Sequence, residues 1–77
     1  METIKVFIPD SASVEDFVGR TKTFPFDLNL GSGKSLVDAK SLLGVLYMAV
    51  GRITSLTAPK ENLPLVEEKL QDYLVEV

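Results

Sequence analysis

A chain of 77 residues with 45% apolar residues allows one small domain, spanning residues 1–77, with a single hydrophobic core. A net charge of −3, with eight scattered lysines and arginines, argues against a nucleic-acid binder, which needs a basic stripe for phosphates. Because cysteine and histidine are absent, we expect no disulfide, no transition-metal site and no cofactor.

The N-terminal part of the chain predicts a strand followed by a helix. Alternating, β-branched residues over positions 3–8 indicate a strand whose apolar side chains share one face. These side chains are Ile4, Val6 and Ile8. A helix is expected over residues 13–22, because Ser13 is a suitable N-cap and acidic residues follow it at the positive end of the helix dipole.

The middle of the chain predicts a hairpin, a second helix and a fourth strand. Residues 26–30 alternate as a strand, residues 31–34 contain two glycines and indicate a turn, and residues 35–38 form a short third strand. The second helix is expected over residues 41–50, with glycine just beyond its last turn. The fourth strand is expected over residues 53–58.

The C-terminal part predicts a turn over residues 59–62 and a third helix over residues 63–76. Asn62 is expected to cap this helix, and Pro64 is tolerated in the first turn, where amide hydrogens lack partners. The apolar face of the helix consists of Val66, Leu70, Tyr73, Leu74 and Val77. The element order predicts an α+β domain with helices on one face of an antiparallel sheet.

The second predicted helix is apolar on more than one side. Leu42 and Val45 can share a buried face, whereas other apolar side chains spread over the rest of the helix. A chain of this size cannot bury a helix on all sides, and an exposed apolar cluster usually marks a partner surface. The alternative is that most of these side chains belong to the core. The candidate partner-binding residues are Leu42, Leu43, Leu46 and Tyr47.

The same helix resembles the regulatory-serine helix of HPr, the small phosphocarrier protein of the bacterial sugar phosphotransferase system. The resemblance lies in the run Lys40-Ser41-Leu42-Leu43-Gly44-Val45-Leu46. It is strongest over residues 27–58, while the first strand and the last helix agree in pattern only. It implies the HPr-like fold, an open-faced β-sandwich in which a four-stranded antiparallel sheet carries three helices on one face.

The chain lacks the histidine that carries the phosphoryl group in HPr. That family has a His-x-Arg-Pro stretch after its first strand, whereas residues 8–14 read Ile-Pro-Asp-Ser-Ala-Ser-Val. The chain therefore resembles a histidine-less, Crh-like relative, and we expect no enzymatic activity and no catalytic residue. Asp10 lies near the position of the missing histidine. A carboxylate can form an acyl phosphate, but Asp-Ser before a helix is more often turn and capping chemistry.

Ser41 matches the regulatory serine that a dedicated kinase phosphorylates in Gram-positive bacteria. A phosphate at a helix start meets free amide hydrogens and the positive end of the helix dipole. The alternative is a plain N-cap, since serine is among the best capping residues. A phosphate loop at residues 31–35 is not supported, because that motif would need glycine in place of Leu28.

These features predict a non-catalytic, HPr-like regulatory or adaptor protein that binds partners through residues 41–50, with phosphorylation of Ser41 as a switch. The expected partners are an HPr kinase-type enzyme and a transcriptional regulator, with no nucleic acid and no membrane. A cytoplasmic location is expected, because neither a signal peptide nor a spanning apolar run is evident. Two alternatives stay open: a phosphotransferase component that uses a residue other than histidine, and a structural module that forms a homodimer.

Overall fold

A computed structural model describes residues 2–76 and contains the elements that the sequence predicts, in the predicted order. The strands are β1 (Glu2–Phe7), β2 (Asn29–Ser32), β3 (Ser35–Asp38) and β4 (Ile53–Ala58). The helices are α1 (Ala12–Thr21), α2 (Leu42–Ala49) and α3 (Leu63–Lys69). Two short 3-10 turns flank α3, over Lys60–Asn62 and Gln71–Tyr73.

The four strands form one antiparallel sheet in the order β1-β4-β2-β3. In this register Val6 lies opposite Thr54, and Leu30 lies opposite Leu56 on one side and Val37 on the other. Alternate residues of each strand therefore point into the layer that the helices cover. The predicted α+β fold, with three helices on one face of a four-stranded antiparallel sheet, is confirmed.

A single hydrophobic core lies between the sheet and the helices. Its largest fully buried members come from the strands, from α1 and from the segments that follow or precede the other elements, so every layer contributes to it. They are Phe17, Ile8, Leu28, Leu30, Leu56 and Leu70. Of the side chains predicted to share the inner face of the first strand, Val6 and Ile8 are fully buried and Ile4 is half-buried.

Strand β2 begins three residues later than the sequence predicts. Leu28 is fully buried, but its carbonyl accepts the backbone N–H of Ala39 at 2.9 Å. The rings of Phe24 and Phe26 stack with their centroids 5.2 Å apart. The alternating pattern before Asn29 therefore reflects a packed loop, and ladder pairing starts only at Asn29.

Helix α1 begins at Ala12, and Ser13 is not its N-cap as the sequence predicts. Asp10 supplies the cap: its Oδ1 accepts both the backbone N–H and the hydroxyl of Ser13, each at 2.9 Å. Ser11 occupies the N-cap position, but its side chain forms no capping hydrogen bond within the described residues. The longer reach of the aspartate satisfies the free amide of the first turn from one residue further back.

Helix α3 ends at Lys69, so the helix predicted over residues 63–76 is wrong in its second half. The chain turns through Gln71–Tyr73 and then extends along the sheet, where Leu74 pairs with Val6 of β1. Asn62 does not cap α3 through its side chain in the described part of the chain, because the preceding 3-10 turn already holds it in a helical conformation. Val77, assigned to the apolar face, lies outside the described residues.

Tyr73 explains why the chain leaves the helix. Its ring packs edge-on against Phe17, with centroids 5.2 Å apart, and its hydroxyl donates to Asp16 Oδ2 at 2.6 Å. These contacts with α1, and the pairing of the next residue with β1, outweigh the helical pattern of the sequence. Val66, Leu70 and Tyr73 are buried as predicted.

A charged cluster fastens this turn to α1. Arg20 places Nε 3.0 Å from Asp16 Oδ2 and Nη1 2.9 Å from Asp72 Oδ2, and it donates to the carbonyl of Lys69. The Tyr73 hydroxyl and the nearby guanidinium lower the pKa of Asp16. Burial and the hydrogen bond to Asp16 raise the pKa of Tyr73 to about 12. The C-terminal segment is thus held to α1 by polar as well as apolar contacts.

None of the helices within residues 2–76 has the length and apolar character needed to cross a membrane.

Candidate docking site on the second helix

Ser41 caps helix α2, as one of the two sequence interpretations predicts. Its backbone is extended (φ −91°, ψ 114°), and its Oγ accepts the N–H of Gly44 at 3.2 Å. An extended residue whose side-chain oxygen reaches an amide of the first turn is the usual geometry of a serine N-cap. The first turn of α2 contains no acidic residue. The Ser41 hydroxyl oxygen therefore provides the partial negative charge at the positive end of this helix.

Helix α2 packs over β3 and β2 and buries only part of its circumference. Val45 and Ala49 are fully buried and Met48 nearly so. Gly44 allows the close approach to the sheet, because a Cβ at this position would lie 3.2 Å from Val37 Cβ and 3.3 Å from Ser41 Oγ. A larger residue would push α2 away from β3 or displace the capping hydroxyl.

The opposite side of α2 is exposed and apolar. The exposed fractions are 42% for Leu42, 63% for Leu43 and 81% for Tyr47. We call these three residues the α2 patch. Leu46 was predicted to be part of the docking surface, but it is half-buried and packs against the core at the base of the patch. The prediction that α2 is too apolar to be fully buried is confirmed for the other three.

The charged groups nearest to the patch in sequence are cations at its two ends. Lys40 is half-buried and donates from Nζ to the carbonyl of Phe24 at 2.7 Å. Arg52 follows the helix and is exposed. The eight residues of α2 carry no charge. The surface of α2 itself is therefore uncharged, and Lys40 and Arg52 are the charged residues that flank it most closely in the sequence.

Asp10 and Ser41 lie at opposite ends of α2. Ile8 pairs with Val50, and the N–H of Gly51 donates to the carbonyl of Ile8 at 2.8 Å, which places the end of β1 beside the last turn of α2. Asp10 follows two residues after Ile8, whereas Ser41 begins the helix, and eight helical residues span about 12 Å. The structure does not bring these two candidate residues into one site.

Leu36 is an exposed apolar residue that the sequence analysis did not single out. It is 65% exposed and lies on the sheet face away from the helices, opposite Gly31. The sequence of β3 already indicated that one of its two apolar residues would be exposed, because Leu36 and Val37 must point to opposite faces of the sheet. Which of the two would be exposed depended on the register of the hairpin.

No group of three or more metal-ligating side chains lies together among residues 2–76. Asp16 of α1 and Asp72 of the C-terminal turn are instead paired with Arg20.

Comparison with protein-family models and with curated proteins gives no match. Among solved structures, the chain is similar to HPr-C-His from Thermoanaerobacter tengcongensis, with a TM-score of 0.74 and 20% sequence identity. The alignment covers 94% of this chain and 89% of that chain. At this identity the similarity shows the fold, so the HPr-like fold expected from the sequence is confirmed. It does not bear on whether the chain is a Crh-like relative, which stays a prediction.

Proposed function

We propose that this domain is a non-catalytic regulatory adaptor that binds a protein partner through the α2 patch. The observation that carries the proposal is the exposure of Leu42, Leu43 and Tyr47 on one uncharged helix. Isolated exposed leucines are ordinary, but three large apolar side chains exposed within six residues of one helix indicate a partner surface. The HPr-like fold and the Lys-Ser-apolar run support the assignment to an HPr-related regulatory role.

Phosphorylation of Ser41 is the switch that we propose for this surface. The residue is half-buried, and it lies next to Leu42 at the edge of the patch. A phosphate there would adopt the capping role of the hydroxyl, since it adds acceptor oxygens at the positive end of the helix dipole. It would also place nearly two negative charges beside an apolar surface, so that a partner needing a dry contact would bind less well.

A phosphocarrier role at Asp10 is less well supported. Its Oδ1 accepts two hydrogen bonds from Ser13 at the start of α1, so the carboxylate is already engaged in capping. An acyl phosphate on Oδ2 would turn this charged acceptor into a weaker neutral carbonyl and would weaken the cap. Arg20, the cation of α1, is paired with Asp16 and Asp72. The sequence contains no histidine that could take the phosphoryl group instead.

The first experiment is intact-mass analysis after incubation with an HPr kinase and ATP, followed by peptide mapping. The proposal expects one added phosphate on wild type and none on Ser41→Ala. Ser11→Ala is the matched control, because Ser11 is also an N-cap residue but forms no side-chain capping bond in the described structure. Absence of phosphate from wild type, or its retention in Ser41→Ala, would remove the Ser41 switch.

The docking surface is tested separately by kinase binding and phosphorylation rate in two matched variants. Leu43→Lys introduces a charge into the α2 patch, whereas Ile53→Lys introduces it at an apolar residue of β4 that is 46% exposed. We expect slower phosphorylation and weaker kinase binding for Leu43→Lys only. Equal effects of the two substitutions would mean that α2 is not the docking surface, even if Ser41 is modified.

A further inference from the structure

The two edges of the sheet differ. At β1, the C-terminal segment covers the edge, because the N–H of Val75 donates to the carbonyl of Lys5 at 3.1 Å and Leu74 pairs with Val6. At the other edge, β3 pairs with β2 only, and no other strand of residues 2–76 lies beside it. An uncovered edge strand offers its free N–H and C=O groups to another strand.

The hairpin geometry directs the backbone of Leu36 toward this open edge. Gly33 has φ +60° and occupies the first central position of a two-residue turn, as in type II′ hairpins, with Ser32 paired to Ser35. In such a hairpin the pair that flanks the turn, here Ser32 and Ser35, is hydrogen-bonded. Hydrogen-bonded and non-hydrogen-bonded pairs alternate along an antiparallel ladder, so the residues of the next pair, Gly31 and Leu36, are not hydrogen-bonded to each other. The N–H and C=O of Leu36 therefore point away from β2 and remain available for another strand.

The sequence of this edge is complementary to itself. When two copies run antiparallel with Leu36 opposite Leu36, the turn residue Lys34 of each copy lies at the end of the edge where the other copy has Asp38. Ser35 then faces Val37 on the inner side. Leu36 and Asp38 share the outer face of β3, while Lys34 belongs to the turn, so each end of the leucine pair brings a lysine of one copy near an aspartate of the other. No proline interrupts this segment, and its two charges attract across the pairing instead of blocking it.

We propose that two copies of this chain associate through their β3 edges, with a two-fold axis at Leu36, to form one continuous eight-stranded sheet. The contact is isologous, since the same five residues serve on both sides. Leu36 and its partner exchange the N–H and C=O bonds that the monomer leaves open, and the two exposed leucines cover each other. The occupant of this edge is thus a second copy, chosen by charge complementarity.

The arrangement places both α2 helices on the same side of the joined sheet. Gly44 approaches Val37 of β3, and Tyr47, one turn further on, lies on that side of α2, toward the two-fold axis. Leu42 lies nearly opposite to Gly44 around the helix and points away from the axis. The dimer therefore offers two docking surfaces to one partner, which raises the apparent affinity for a partner that is itself two-fold.

Sedimentation equilibrium over micromolar to millimolar concentrations tests the proposal without any partner protein. Wild type should show a concentration-dependent monomer–dimer equilibrium. Lys34→Asp replaces two opposite-charge pairs by two like-charge pairs and should raise the dimer dissociation constant about tenfold. Asp38→Lys should do the same. An equimolar mixture of the two variants should associate again, because each acidic edge then meets a basic one.

A second, independent comparison uses Leu36→Lys and Ile53→Lys. It decides the outcome if Asp38→Lys disturbs the fold, because Asp38 Oδ1 accepts the N–H of Lys40 and this bond would be lost. Leu36→Lys and Ile53→Lys both leave the inner face of the sheet unchanged, but only Leu36→Lys should abolish association. Circular dichroism checks that each variant is folded. A wild type that stays monomeric at millimolar concentration overturns the proposal. So does a dimer that is insensitive to Leu36→Lys but is lost in Tyr47→Ala.

Discussion

Replacing Ser41 by alanine measures how much α2 depends on its cap. The substitution removes one hydrogen bond, from the N–H of Gly44 to Ser41 Oγ at 3.2 Å, and leaves that half-buried amide without a partner. Loss of a serine cap usually costs about 0.5–2 kcal/mol. The bond is long for its type and half-buried, so we expect about 1 kcal/mol. For a domain of this size that corresponds to a decrease in Tm of about 4–8 °C.

The complementary variant is Ser41→Asp, which keeps a capping oxygen and adds a negative charge. Because the first turn of α2 has no acidic residue, the charge meets an uncompensated helix dipole, and stability should match wild type or exceed it by up to about 1 kcal/mol. Urea denaturation at one low protein concentration measures all variants, with Ser11→Ala as the control that should change little. A Ser41→Ala loss no larger than that of Ser11→Ala would refute the capping argument. A Ser41→Asp variant less stable than Ser41→Ala would show that this helix end does not tolerate a phosphate.

Three further substitutions test other parts of the structure. Asp10→Ala should destabilise the fold by about 1 kcal/mol in urea denaturation, because Ser13 loses the side-chain acceptor of two hydrogen bonds and keeps only the longer bond to the Asp10 carbonyl, and unchanged stability would argue against the cap. Tyr73→Phe should raise the pKa of Asp16 toward its ordinary value in an NMR titration. A carboxyl group whose pKa is lowered by folding stabilises the folded protein, and this stabilisation is lost as the pH falls through the lowered pKa. Tyr73→Phe should therefore lose less stability than wild type on acidification below about pH 4. The pKa of Tyr73 itself is raised to about 12 in the folded protein. Its neutral hydroxyl therefore contributes stability below the ordinary pKa of tyrosine, and this stability is lost as the pH rises through about 12. Absorbance titration of wild type should show this late ionisation. Leu43→Lys should change the free energy of unfolding by less than about 0.5 kcal/mol, and a larger loss would place Leu43 in the core.

The element order and most of the central elements were predictable because their signals are local. Strand β3 and strand β4 have the predicted bounds, and α2 begins after Ser41, where a capping residue precedes an apolar run. The two-residue turn at Gly33 was also marked by its composition. The exposed apolar side of α2 was predicted from its excess of apolar residues, and Leu46, which is half-buried, is the one departure from it.

The elements that were wrong depend on contacts between distant residues. Residues 70–76 have a helical apolar pattern, yet Tyr73 binds Asp16 of α1 and Leu74 pairs with Val6 of β1. The cap of α1 passed from Ser13 to Asp10 because the loop after β1 brings that carboxylate to the helix start. A periodic pattern shows which side chains are buried, but it does not show which partner buries them.

The sequence by itself determined the fold class, the apolar excess of α2 and the lack of a histidine for phosphoryl transfer. Each of these follows from residue type and spacing along the chain. The tertiary structure alone decided which sheet edge is open, since strand order β1-β4-β2-β3 places β3 at the edge and the C-terminal segment covers β1. It also decided that Leu36, rather than Val37, is exposed, because the register of a hairpin fixes the face of every side chain in it.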